Sequence, residues 1–285
     1  MALALYFLII LSNITQSAAT KAFNQKNYAP AFFNIIKAAS ALLITLIFSL
    51  PTFKLHLPTV IFGLAYGAML SSSMYAGYEA LCRGPMALTS MLVSFSVVIP
   101  FTWGVTVRNE EMSPLKAVAI VLLICAIICT NADKIAHRGE KKKGFGAWLA
   151  FVALTFVCNG AFSVLQKEHQ SLYPSQYKQE FTVFALLLCT VIYSVPFLLR
   201  KEKRAFGEVK GKSFALLAGV TTVLSSLLTL MLASFENASI LFSIISAGGV
   251  LASLLCGRFV FREKLRSNHY LALVLGSVSI VLMKL

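Results

Sequence analysis

Aspartate is almost missing from this chain. Asp133 is the single one among 285 residues, and only 11 residues are acidic. A paired intramembrane aspartyl protease is thereby impossible. The four histidines (His56, His137, His169 and His269) stand apart and form no HExxH, and there is no GxSxG elbow, so neither zinc-protease nor serine-hydrolase chemistry has its residues. The six cysteines, Cys82, Cys125, Cys129, Cys158, Cys189 and Cys256, contain no CxxC and have no histidine at ligand spacing. They read as packing thiols. The chain is expected to be no enzyme, with no metal and no cofactor.

Charge is scarce in general. Charged residues make up 13% and hydrophobic ones 58%, with a mean hydropathy of +0.79. Soluble domains carry about 25% charged and about 45–50% apolar residues. A chain this short has no interior large enough to hide that apolar surface, so it reads as an integral membrane protein. The net charge of +14 does not indicate nucleic acid, because the basic residues sit in short breaks between apolar runs and form no aromatic-interleaved stripe. Anionic lipid beside those breaks is the expected partner.

About ten apolar runs follow one another, at 2–21, 29–50, 58–80, 86–107, 115–131, 147–166, 179–199, 213–235, 238–260 and 268–284. Lipid offers no hydrogen bonds, so each run is expected to be a helix. Pro51, Pro58, Pro85, Pro114 and Pro174 fall at the breaks, whereas Pro100 lies inside the fourth run and should kink it. The N-terminus, Met1-Ala-Leu-Ala-Leu-Tyr, lacks a basic region, so the first run is read as a retained span. Asn13-Ile-Thr lies inside a run and Asn237-Ala-Ser at the edge of one, and neither is expected to be glycosylated.

The two halves resemble each other. A shift of 146 pairs Asn13 with Asn159 and Lys21 with Lys167; a shift of 153 pairs Gly104 with Gly257 and Glu110 with Glu263. Five spans per copy is an odd number, so the second copy must enter the membrane inverted. The expected fold is an all-α membrane protein of about ten transmembrane helices, as two inverted five-helix repeats. These are residues 1–131 and 147–285, joined by a basic linker at 132–146. Such duplications characterise small-solute transporters, with the site near mid-membrane between the repeats. Leaving out Lys37, which lies inside a run, lysine and arginine divide 18 to 6 between the two sides, which places the linker in the cytoplasm and both termini outside.

Polar stripes mark the candidate site. The first run carries Asn13, Gln16, Ser17 and Thr20, on one helix face. The sixth repeats it with Asn159, Ser163 and Gln166. The eighth has Thr222, Ser225, Ser226 and Thr229, and the third has Ser72, Tyr75 and Glu79 with Tyr78 alongside. Any one hydroxyl can simply bond a neighbouring helix, but four stripes on repeat-related runs point to a shared aqueous cavity. Asn13, Gln16, Asn159, Ser163, Tyr75 and Ser226 are the candidate solute-binding residues. Lys37, two turns into the second run, is the candidate partner for an anionic group, with snorkelling as its alternative. Glu79 is the coupling candidate. No carboxylate lies at the centre of a run. Ala247-Gly248-Gly249 and Gly257 are expected at a helix-packing seam.

The segment Ala87–Thr130, "ALTSMLVSFSVVIPFTWGVTVRNEEMSPLKAVAIVLLICAIICT", and its counterpart ending "GRFVFREKLRSNHYLALVLGSVSIVLMK" carry a small-residue helix, an acidic turn and a final Gly-or-Ala-spaced helix. This pattern resembles the drug/metabolite transporter superfamily, EamA-like branch, over the whole chain. The resemblance implies a secondary transporter, exporter or exchanger, moving a small polar organic metabolite by alternating access. The four-helix small multidrug resistance proteins are more distantly similar. Their coupling glutamate and following lysine would fall at Asn13 with Lys21 and at Asn159 with Lys167, and neutral asparagine at both acid positions speaks against cation/proton antiport and favours a neutral or zwitterionic solute, or uncoupled exchange. The resemblance also implies cytoplasmic termini, opposite to the Lys/Arg tally. The expected setting is the cell (inner) membrane and the expected unit a monomer; the alternative is a non-transporting receptor or structural membrane protein.

Overall fold

The structure, a computed structural model, describes residues 2–24, 30–51, 53–83, 93, 95–111, 113–136, 145–199, 209–259 and 267–284. Among the described residues there are ten α-helices and no strand. They are α1 (Ala2–Asn24), α2 (Pro30–Ser49), α3 (Leu57–Arg83), α4 (Val98–Thr106), α5 (Pro114–Ala136), α6 (Phe145–Leu172), α7 (Lys178–Leu199), α8 (Val209–Ala233), α9 (Ala238–Phe259) and α10 (Ser267–Lys284). Most bounds fall within a few residues of the apolar runs, because proline and charged clusters end a helix where they also end a run. Much of the expected fourth run (86–92 and 94), the centre of the basic linker (137–144) and the side chains of Ser17, Thr20, Lys21 and Tyr78 lie outside the described residues.

Pro100 stands just after a change of helix type. A 3-10 turn, Phe95–Val97, gives way to α-helix at Val98, so Pro100 falls in the first turn of α4. There its missing N–H leaves no helix bond unmade. The expected kink is a junction between two helix types.

Five helices, α2, α3, α6, α7 and α8, are long and apolar enough to cross a membrane. That is compatible with a membrane protein, as is the surface. Leu43 and Ile47 of α2, Val191 and Val195 of α7, and Leu216, Val220 and Leu224 of α8 are all exposed. They repeat at three- or four-residue spacing, an outward apolar stripe that water would not tolerate and lipid accepts.

The chain forms two compact units, and each draws on both halves of the sequence. The first comprises Met1–Ser71 with Leu165–Phe235, the second Ser72–Val164 with Glu236–Leu285. In the first, α1 packs on α8, α2 on α7 and α8, and α7 on α8. Ala19, Ala215 and Ala218 leave room for Phe23, Phe32 and Phe33, with the Phe23 and Phe33 rings 4.7 Å apart. Two backbones come very close where α3 meets α7. A Cβ on Gly67 would stand 2.6 Å from the Ala185 carbonyl oxygen, and one on Gly63 would stand 2.8 Å from that of Phe181. Glycines four apart let these backbones touch.

In the second unit α5 packs on α10, α9 on α10 and α5, and α4 on α9. Trp148, Val152 and Ala80 form a buried cluster. Of the stretch expected at a seam, Ala247 and Gly248 are buried, whereas a Cβ on Gly249 would meet nothing within 4 Å among the described residues. Glu110 closes the start of α9. Its carboxylate accepts from the N–H of Ala238 at 2.7 Å and of Ser239 at 3.0 Å, and from the Ser239 hydroxyl at 2.6 Å. An anion there answers the positive end of the helix.

Candidate functional site

The first unit holds a cluster of polar side chains from five helices. Lys37, on α2, is 5% exposed, and among the described residues its ammonium has neither hydrogen-bond nor ion-pair partner. The position is held by backbone. Ser40 donates to the Lys37 carbonyl at 3.1 Å, and Gly219 of α8 packs so closely that a Cβ there would lie 2.9 Å from that oxygen. The titratable neighbour that feels the charge is Cys189 of α7. Its thiol lies 3.1 Å from the Ser71 hydroxyl, which bonds the Gly67 carbonyl at 2.8 Å. Tyr193 donates to the Ser71 carbonyl at 3.4 Å. Tyr66 on α3 turns its hydroxyl to the Ser226 side chain, and Gln166 of α6 donates to the Ser226 carbonyl at 3.4 Å.

A buried ammonium without a carboxylate is costly, and an apolar span normally excludes one. Hydroxyls and a thiol can orient it but cannot neutralise it. Chemically, the arrangement is a buried amine near a thiol, with hydroxyls hydrogen-bonded on the neighbouring helices.

The expected site residues divide between the units. Asn13, Gln16, Lys37 and Ser226 belong to the first; Tyr75, Glu79, Asn159 and Ser163 belong to the second. Asn13 Oδ1 accepts from the Ser225 hydroxyl at 2.7 Å, so it ties α1 to α8 beside Ser226. Gln16 is half-buried. In the second unit, Ser73 donates to Asn159 Oδ1 at 2.5 Å, while among the described residues the Asn159 amide nitrogen keeps no partner. Ser163 donates to the Asn159 carbonyl within α6 at 3.0 Å, the local bond that hydroxyls in apolar helices commonly make. Tyr75 is 51% exposed, and Glu79 is half-buried with an interaction of its own.

Lys167, matched above to a coupling-family lysine, is a cap. Its ammonium donates to the carbonyl of Ala233, the last residue of α8, at 3.0 Å, where a cation meets the negative helix end. Tyr66, Ser71, Cys189 and Tyr193 were missed. Each is an ordinary apolar-helix residue in sequence, and only Ser71, next to the Ser72 stripe, carried any signal.

No protein-family model matches the chain, and no curated protein matches it in sequence. Among solved structures, 29 chains resemble it. One, named only "Crystal structure of protein", superposes with a TM-score of 0.82 over 99% of this chain and 95% of its own, at 13% identity. That likeness concerns the fold.

Proposed function

We propose that the chain is a secondary transporter of the drug/metabolite type, and that it carries a small polar organic solute bearing an anionic group. The observation that carries this reading is Lys37, a buried cation without a protein counter-ion. Bound solute would supply the missing charge, with Ser226, Asn13 and Gln16 offering hydrogen bonds nearby. The cluster draws helices from both halves of the sequence, as a site between two repeats requires.

The inverted duplication is supported by two hydrogen bonds. Asn13 on α1 pairs with Ser225 on α8, and Asn159 on α6 pairs with Ser73 on α3. Moving each helix five places along exchanges one pair for the other. Packing of α2 on α7, α4 on α9 and α5 on α10 joins helices that the same exchange makes equivalent, as a pseudo-two-fold demands of helices touching across its axis. On this reading all ten helices span the cell membrane, the 132–146 linker is cytoplasmic, and the halves rock about the site.

Counterflow tests the proposal. Liposomes containing the protein are preloaded with pooled amino acids, amines, sugars, nucleosides and carboxylates, and isotope exchange is followed for each class. Anionic solutes are expected to exchange, Lys37→Met to abolish exchange, and Asn13→Ala and Asn159→Ala to slow it. Undiminished exchange in Lys37→Met would remove the site assignment. No exchange by folded wild-type protein would favour the receptor or structural alternative.

A further inference from the structure

Lys37 is the one charged side chain on α2. At 5% exposure its head does not reach water, so the snorkelling alternative falls and the charge has to be answered inside the protein. Three helices flank α2. The helices α7 and α8 pack on it, and α1 meets it where Phe23 stacks on Phe32. Among the described side chains, their titratable groups are Tyr6 on α1, Lys178, Glu180, Cys189 and Tyr193 on α7, and Lys212 on α8.

The single carboxylate in that set is already engaged. Glu180 accepts from the Lys54 N–H at 3.0 Å. It also precedes Cys189 by nine residues, about 13 Å along α7 at a rise of about 1.5 Å per residue. Tyr193 donates to the Ser71 carbonyl, and Lys178 and Lys212 have the same sign as Lys37. The Cys189 thiol is the neighbour that feels the Lys37 charge. No carboxylate among the described residues stands ready to pair with Lys37.

A carrier closes around its site and reopens on the other side. With an anionic solute in place, the Lys37 ammonium has its counter-charge and the pair crosses without net charge. Without solute, the same ammonium would pass through the closed form unpaired, where a lone charge is heavily penalised. Lysine has a way out that arginine lacks: it can leave a proton behind and pass as a neutral amine. Shedding the proton limits the penalty of the buried position without abolishing it.

We propose that Lys37 is the coupling group as well as the anion site: it crosses as an ammonium paired with the solute, returns as a free amine, and so moves one proton with each anion in net flux. This rests on the transport reading above and deepens it. On loading, the Nζ lone pair takes a proton from hydronium in the open cavity, which forms the third N–H bond and leaves water. On unloading, the anion departs, the ammonium gives a proton to water, and the N–H electrons stay on Nζ as its lone pair. Exchange of anion for anion needs neither step. The coupling group is then a base, and no acid within a span is required. One ammonium matches one negative charge, so the solute is a monoanion.

Proteoliposomes holding the full chain test this with gluconate, glucuronate and pyroglutamate as monoanions and succinate as a dianion. Protein-free liposomes and Lys37→Met serve as blanks. Monoanions are expected to exchange in wild type and succinate is not. Net uptake of the exchanged monoanion should bring in one proton per anion, read with an entrapped pH dye. An interior one pH unit more alkaline should accumulate it about tenfold, the ratio that equal stoichiometry sets, and clamping the membrane potential should leave that ratio unchanged. Lys37→Arg keeps a charge that cannot be shed. Its exchange should stay within about threefold of wild type while its net flux falls at least about tenfold. Cys189→Ser should retain both activities.

Accumulation that follows the membrane potential instead of the pH gradient overturns the coupling, as does net flux in Lys37→Arg equal to wild type. Exchange kept with proton movement lost in Cys189→Ser puts the proton on the thiol and overturns the assignment to Lys37. Succinate exchange as fast as that of the monoanions overturns the single-charge pairing. If Lys37→Arg does not fold, the proton count and potential response of wild type decide alone. No exchange of any probe by folded wild type removes the anion-transport reading itself, a result distinct from exchange without protons, which removes only the coupling.

Discussion

On the transport reading proposed above, replacing Lys37 with methionine should make the protein more stable while it stops anion exchange. A lysine at the centre of a membrane helix costs about 2.5–3.5 kcal/mol. Lys37 lies seven residues beyond Pro30, about 10 Å along α2 at a rise of about 1.5 Å per residue. That is short of the middle of a roughly 30 Å hydrocarbon core. Halving the cost for this depth leaves a gain of roughly 1–2 kcal/mol for removing the charge. Methionine fills the same channel of space with a flexible apolar chain. The Ser40 bond survives because it ends on the backbone carbonyl of residue 37. Equilibrium unfolding in lipid bicelles, by steric trapping, reads the difference directly. A loss of 1 kcal/mol or more would refute the reasoning, since truncating one partner of a buried pair is what destabilises strongly. Gain of stability with loss of exchange is the usual signature of a binding group held at a cost to the fold.

Glu110→Ala should cost about 2–3 kcal/mol, because two backbone N–H groups and a hydroxyl lose a charged acceptor at the start of α9; unfolding of the purified variant checks it. Gly67→Val should cost about 1–3 kcal/mol by overpacking, since even its Cβ would sit 2.6 Å from the Ala185 carbonyl; a variant as stable as wild type would show that α3 can move off α7. Double-mutant cycles on Asn13 with Ser225 and on Asn159 with Ser73 should each return a coupling of about 0.6 kcal/mol. Equal couplings would support the duplication, and a coupling in one pair alone would count against it.

Much of this molecule is readable along the chain. Hydropathy places the helices and proline their ends, because in an apolar solvent a helix satisfies its own backbone and needs no distant partner. The polar stripes are legible for the same local reason: a period of about 3.6 residues puts Asn13 and Gln16 on one face whatever stands opposite. Lys37 announces itself as a charge where charges are costly. What stands opposite was decided by tertiary structure alone. Nothing near Asn13 names Ser225, 212 residues away. Tyr66, Ser71 and Cys189 look like packing residues until three helices bring them beside a lysine. Gly249 meets nothing within 4 Å among the described residues, whereas Gly63 and Gly67 let two backbones touch. His56 and His169, which stand apart in sequence, share the Thr59 hydroxyl. Between helices in lipid there is little hydrophobic drive to favour one face over another. Rotation and register are therefore set by small residues and single hydrogen bonds summed over the whole bundle, a property that no segment carries by itself.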